Sequence, residues 1–400
     1  MSAPDPQTDA AEEARRRAAH QAWRDPAQVA AHWWDAARVE PARLANEEQG
    51  GFFELLGRLD LTLLVTREYE HLVLALAATA QGPRTSYLAL PHPSGLAHDV
   101  VGGRVFVAAT RNPNQVVELR PAAGALPRLD RAPGAAELDA RPLLPASTSF
   151  YPGSLYLHDL AFLDGALHAN ACGQDAIVRL DGPRYERVWW PRSVDDALEG
   201  STGEANRLQL NSIAAGQDLA SSFFTASAAV PGELRPGDPA FPVDGRGVVL
   251  SGATREPLAG GLTRPHSARL HAGELWLANS GYGELGRVRE GAFEAVARLE
   301  GWTRGLCLHQ GVAFVGTSRV LPRFRAYAPG LDLAHSTCGV VAVELASGRV
   351  LASLRWPAGD QVFAVLALPR AFTLGFPFQA PPAPEALERL FYAYRLEADP

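Results

Sequence analysis

Lysine is missing from this 400-residue chain: all 37 basic residues are arginine, and Met1 is the single methionine. That bias points to a GC-rich genome and carries no function by itself. No basic run stands out and the net charge is -7, which excludes an ordinary nucleic-acid surface. The three cysteines, Cys172, Cys307 and Cys338, are too few and too scattered for a disulfide framework or a CxxC metal site. Cys172 and Cys307 fall in apolar, strand-like runs, where a buried inert thiol is expected. No stretch reaches the roughly 18 apolar residues of a membrane span, and Ser2-Ala3-Pro4-Asp5-Pro6 does not lead into the apolar core of a signal peptide. The expected setting is therefore a reducing cytoplasm, with neither nucleic acid nor membrane as partner. There is no P-loop and no GxSxG elbow. Gly281-Tyr282-Gly283 sits in a strand hairpin and is no dinucleotide fingerprint.

What the chain does have is a hydrophobic fraction of 47% with 20% charged residues, ordinary for a soluble globular protein, and a recurring phrase. One variable residue is followed by a small residue or aspartate, an aliphatic stretch and a glycine hairpin. It reads Ser94-Gly95-Leu96-Ala97, His158-Asp159-Leu160-Ala161, Asn211-Ser212-Ile213-Ala214, His266-Ser267-Ala268-Arg269 and Arg304-Gly305-Leu306-Cys307, with a degenerate copy at Phe363-Ala364-Val365-Leu366. Each unit reads as strand, tight turn, strand. Repetition at roughly 40 to 60 residues marks a propeller or solenoid.

Residues 8–56 read as helical, split at Pro26 and Pro41. From Leu61 to about Pro369 the texture is short β-branched or aromatic runs punctuated by Gly, Pro, Asn and Asp. The phrases supply the innermost strand, A, of successive four-stranded blades. The first unit lacks its own A strand, and the phrase at Phe363 lacks the strands that should follow it. The expectation is an all-β, six-bladed propeller over 61–370, closed by the C-terminal strand, with an N-terminal helical extension over 1–60 and a tail over 371–400 that is helical from Pro384 to Leu396. Insertions at 120–150, 228–247 and 318–337 read as long loops, and the third, carrying Arg319, Arg323, Arg325, Tyr327 and His335, lies at the rim where A strands begin.

The first residues of the A strands form a ring at one end of the channel: Ser94, His158, Asn211, His266, Arg304 and Phe363. Asn170, Asn279 and Ser280, at the returning ends of the B strands, form a second shell. Period-two alternation turns Asp159 into its blade or onto a neighbouring strand. Such polar residues can simply hydrogen-bond exposed backbone between blades, but several at one phase also make a site. Two chemistries fit. In one, His158 and His266, with Asn211 as oxygen donor, hold a divalent transition metal such as Zn, Fe, Mn, Ni or Cu; the lack of carboxylates argues against calcium. In the other, Arg304 clamps an anionic substrate while His158 or His266 acts as general base. Ser94, Asn170, Asn211, Asn279 and Ser280 are the expected substrate-binding residues. The expected activity is hydrolase or lyase chemistry, metal-assisted in the first case, on an anionic small-molecule substrate, and the alternative is a non-catalytic propeller that binds a peptide or protein on the same face.

At Leu157-His158-Asp159-Leu160-Ala161, at Arg264-Pro265-His266-Ser267-Ala268-Arg269 running on to Asn279-Ser280-Gly281, and at Thr303-Arg304-Gly305-Leu306, the chain resembles a family of bacterial propeller-like proteins of unknown function, some joined to tetratricopeptide repeats. The resemblance runs over about 61–369 and implies a propeller without naming an activity. It implies family roles for His158, Asp159, Asn170, Asn211, His266, Asn279, Ser280 and Arg304. The family tends to carry acidic residues where this chain has Gln361 and Ala364. The architecture is also similar to six-bladed lactonases, at the level of fold alone.

Overall fold

Glycine-rich hairpins set the frame. Asp164 and Gly165, Ala272 and Gly273, and Gln310 and Gly311 occupy consecutive positive φ values of 53° and 70°, 50° and 79°, and 47° and 79°. Two successive left-handed residues make the type I′ turn, whose twist matches that of the strands it joins. The computed structural model of the chain describes residue 14 and residues 39–111, 114–125, 139–195, 206–381 and 394–396. Its strands form six antiparallel sheets arranged as the blades of a six-bladed propeller, with few helices. The inner strands are Pro93–Asp99, Leu157–Leu163, Leu210–Ala214, Pro265–His271, Trp302–His309 and Ala364–Pro369. Each packs on the next, and Ala364–Pro369 packs on Pro93–Asp99. Ala364–Pro369 pairs with Leu61–Arg67, from Leu61 opposite Pro369 to Thr66 opposite Ala364.

The second residue of the recurring phrase now has a physical role. Pairing of the A strands with their B strands skips between Pro93 and Leu96, Leu210 and Ser212, His266 and Arg269, and Thr303 and Leu306. These bulges turn the second residue toward the following blade. Asp159 Oδ2 accepts from Ile213 N at 3.0 Å, Ser212 Oγ from Ala268 N at 2.9 Å, and Ser267 Oγ from Gly305 N at 2.8 Å. Each accepts from a backbone N–H of the next inner strand, and those of Ala268 and Gly305 lie within the skipped stretches, where the ladder gives them no partner. Where the phrase carries Gly95 instead, the next blade comes so close that a Cβ would lie 2.6 Å from the Cα of Asp159.

Three short strands cover outer edges that would otherwise be open. Glu47–Gln49 pairs with Val350–Arg355, Phe378–Gln379 with Gly82–Ala89, and Tyr394–Leu396 with Asn114–Ala125. The helix Phe52–Arg58 buries Phe52, Phe53, Leu55 and Leu56 in a core shared with Leu63, Leu74 and Leu354, and Phe52 meets Phe314 edge-on at 6.2 Å.

Several local expectations differ. Within the helical region expected over 8–56, Pro41–Leu44 and Phe52–Arg58 are helices, but Glu47–Gln49 is a strand, because a free sheet edge offers its backbone partners. Trp33 and Trp34, which belong to that expected helical region, lie outside the described residues. Of the helix expected over 384–396, residues 384–393 also lie outside them, and Tyr394–Leu396 is extended. The insertion at 120–150 is partly sheet: Asn114–Ala125 and Leu143–Tyr151 pair along their length, with 126–138 outside the described residues. Among the described residues no helix is long and apolar enough to cross a membrane.

Candidate functional site

At the end of the channel where the A strands begin lies a cavity of about 370 Å³. His158, Asn211, His266 and Arg304 all line it. Phe363, buried beside them, presents its ring edge-on to His158 at 5.4 Å and to His266 at 5.8 Å, and the Arg304 guanidinium lies 3.4 Å over its face. The two imidazoles stack 6.1 Å apart.

The histidines are not equivalent. Arg304 Nε donates to His266 Nε2 at 3.1 Å, and His266 Nδ1 sits 2.8 Å from Ser267 Oγ. A guanidinium has no lone pair to offer, so Nε2 is the acceptor and the ring proton sits on Nδ1. Burial first, then the Arg304 charge, holds His266 well below the usual histidine range. The same two causes hold His158 well below it, with a hydrogen bond to Asn211 acting in the opposite direction. His158 Nδ1 is buried with no hydrogen-bond partner. Asn211 Nδ2 donates to Ser227 Oγ at 3.1 Å and to Pro265 O at 3.2 Å.

Four of the expected binding residues lie elsewhere. Ser94 Oγ donates to Leu157 O and Ser280 Oγ to Thr303 O, both at 2.6 Å, joining neighbouring blades. Asn279 accepts from Thr263 N at 2.7 Å and donates to Glu284 at 2.8 Å. Asn170 is fully buried within Ala166–Ala171 and does not line the cavity. Ser94, Ser280 and Asn279 serve backbone groups at the junctions between blades, whereas both polar atoms of the Asn170 amide are buried without a hydrogen-bond partner.

The residues that take their place begin just past the B strands. Glu68 and Tyr69 follow Leu61–Arg67, Thr110 and Arg111 follow Arg104–Ala109, Cys172 follows Ala166–Ala171, Ser227 follows Phe223–Ala226, and Arg319 follows Val312–Ser318; all line the cavity. The sequence signal was present, one or two residues beyond the strand ends. Glu68 Oε1 accepts from Thr110 Oγ1 and lies 3.8 Å from Arg111 Nε. With its amide oriented to satisfy both neighbours, Gln361 accepts from Arg304 Nη1 at 2.6 Å and donates to Glu68 Oε2 at 2.9 Å. Burial lowers both Arg264 and Arg304 to about 10. Arg264 lies 3.8 Å over the Tyr327 ring and donates to Gln209 Oε1 and Pro236 O.

Two insertions meet over the mouth. From 318–337, the short 3-10 helix Pro322–Tyr327 brings Phe324 and Tyr327 to the cavity, and Tyr327 Oη donates to Gly237 O of the 228–247 insertion at 3.2 Å. Tyr69, Phe324 and Tyr327 form a stacked row with centroid spacings of 6.5 and 5.6 Å. Arg325 and His335 of the same insertion are exposed, and His335 pairs with Asp332 at 2.7 Å.

The donor set of His158, His266 and Asn211 does not fit a divalent ion. The outward lone pair of His266 is taken by Arg304, whose positive charge 3.1 Å away would oppose a cation there. Among the described residues no group of three or more His, Cys, Asp or Glu side chains is placed to hold a metal.

The profile of a domain of unknown function, DUF4915, matches residues 50–374. The chain belongs to the DUF4915 family. No curated protein matches it. Among solved structures, this DUF4915 protein is similar to a chain of the nidogen/laminin complex, with a TM-score of 0.51 at 11% identity over 77% of this chain and 98% of that one. It is also similar to a gluconolactonase of Xanthomonas campestris, with a TM-score of 0.46 at 15% identity over 81% and 88%. The calcium-binding protein regucalcin of Agrobacterium tumefaciens gives 0.41 at 11% over 65% and 73%. At these identities the likeness shows the fold alone.

Proposed function

We propose that this propeller, with its ring over 61–370 closed by the pairing of Ala364–Pro369 with Leu61–Arg67, binds a small organic anion at the mouth of its channel. The observation that carries the reading is the lining charge: Arg111, Arg235, Arg264, Arg304 and Arg319 face the cavity against two carboxylates, Glu68 and Asp360. Guanidinium forks suit carboxylate and phosphate oxygens. His158, neutral and with Nδ1 unpartnered, is the residue we assign as general base for hydrolysis or elimination on the bound anion, a role worth roughly a hundredfold or more in rate. Asn211 orients the ligand beside it, and His266 positions Arg304. The three cysteines are free and buried, which accords with a cytoplasmic setting.

Thermal unfolding in the presence of small carboxylates and phosphates, at constant ionic strength, tests the reading. A bound anion raises stability by about 2.7 kcal/mol at a hundred times its Kd and by about 1.4 kcal/mol for each further tenfold, and Arg304→Gln removes that rise. For an anion that binds, conversion followed by NMR should stop in His158→Ala while binding persists. No concentration-dependent rise with any anion overturns the proposal. A rise given only by an aromatic-rich peptide reassigns the same face, with its Tyr69, Phe324 and Tyr327 row, to peptide binding.

A further inference from the structure

Arg264 and Arg304 share an unusual condition: each is a cavity-lining guanidinium whose acceptors are all neutral. Arg264 is 5% exposed, and its acceptors are the Gln209 amide oxygen and the Pro236 carbonyl, with the Tyr327 ring beneath it. Its Nε has no partner. Arg304 has a neutral imidazole, the Gln361 amide and the Phe363 ring. The Glu68 carboxylate attracts Arg304 through its charge, but its hydrogen-bond link to Arg304 runs through Gln361, and it also serves Thr110 and Arg111. Taking a charge out of water is costly, and neutral acceptors and aromatic faces recover that cost only in part.

We infer that the ligand carries two negative charges, one for each of these guanidiniums, as a dicarboxylate or a dianionic phosphate does. This rests on the anion-binding reading above and narrows it. A monoanion would compensate one guanidinium and, by displacing water from the cavity, leave the other more desolvated than before. A dianion compensates both. The residues come from consecutive blades, Arg264 just before Pro265–His271 and Arg304 within Trp302–His309, so one ligand can bridge the seam between them.

The test compares matched probes at pH 8 and constant ionic strength: succinate against butyrate, and inorganic phosphate against dimethyl phosphate, by titration of the whole chain. One dianion is expected to bind at least about tenfold tighter than its monoanionic match, the order of one charge-assisted hydrogen bond. Which pair shows the gap separates the carboxylate source from the phosphate source. Arg264→Gln should bring the preferred dianion down to within about twofold of its match. Arg304→Lys, which keeps the charge and loses the fork, should narrow the gap and serves if Arg264→Gln fails to fold. Equal affinity within both pairs overturns the dianion and leaves the anion site standing. Absence of saturable binding by all four probes overturns the site itself.

Discussion

Arg304 donates through Nε to Nε2 of His266 across 3.1 Å, and this contact assigns both residues. The imidazole is the acceptor, fixed by Ser267 on its other side, and the guanidinium is held with its remaining edge toward the cavity. His266 therefore acts through Arg304. His266→Gln supplies an amide oxygen to the same donor and should hold anion affinity within about threefold, whereas His266→Leu should lose about tenfold, the scale of a hydrogen bond to a charged group. Titration with the best-binding anion decides it; equal affinity in His266→Leu would show that Arg304 is positioned without the imidazole.

Acid should loosen the fold through the same histidines. His158 and His266 are both held below 6.5 by burial, so the unfolded chain takes up protons that the native state refuses. Their contribution is full above 6.5 and is lost progressively as pH falls from there toward their lower native values, at up to about 1.4 kcal/mol per pH unit for each proton. Asp175 opposes them lower down. Burial raises it from 3.8 to about 6, so its contribution is full below 3.8 and fades as pH rises toward 6. Urea unfolding at pH 7.5, 6.5 and 5.5 should show stability falling with acid, and the double variant His158→Asn, His266→Gln should flatten the fall. An unchanged slope would mean that these rings titrate in the native state as they do in water.

The phrase made the propeller legible because its glycine hairpins and aliphatic strands are local features with a fixed period. His158, Asn211, His266 and Arg304 were legible for the same reason: they start inner strands, and those starts share one rim. Ser94 shares that phase, and Asn279 and Ser280 lie at the B-strand ends of the same rim, and yet all three bind backbone. Phase fixes where a Cα sits and leaves open whether a bulge turns its side chain to the channel or to the next blade. Arg264 was hidden differently. It precedes its strand, and its placement depends on Tyr327 from an insertion 63 residues further on, a contact with no local signature.

The two insertions are tied over the mouth by the hydrogen bond from Tyr327 Oη to Gly237 O. Tyr327→Phe keeps the ring beneath Arg264 and removes that tie, worth about 1 kcal/mol. Global stability should hardly change, because the contact joins two surface segments, while ligand dissociation should quicken about fivefold. Stopped-flow displacement followed through Trp302 fluorescence, a residue lining the cavity, reads the rate. An unaltered rate would mean that these segments do not part when ligand leaves.

Beneath the site, Asp159 and Arg269 lock three blades together. Arg269 Nη1 and Nη2 reach the two carboxylate oxygens of Asp159 at 2.7 and 3.1 Å, and the same carboxylate accepts from Ile213 N at 3.0 Å. Arg269 Nη1 also donates to Ile213 O at 3.1 Å. The Asp159 side chain is 4% exposed and that of Arg269 is 23% exposed, so the two halves are not equally costly to orphan. Arg269→Met leaves a buried carboxylate without its cation and should cost about 3 kcal/mol. Asp159→Leu leaves a cation that can still reach water, but it also strips Ile213 N of its acceptor, so its loss combines a smaller charge cost with an unpaired buried donor. The double variant should cost less than the two single losses added, because neither leaves an unpaired charge once both are gone. Urea midpoints at constant m-value for the four proteins complete the cycle. Strict additivity would show that the pair sits together without coupling, and that the bulge at the head of each inner strand, rather than this ion pair, fixes how the third, fourth and fifth blades meet.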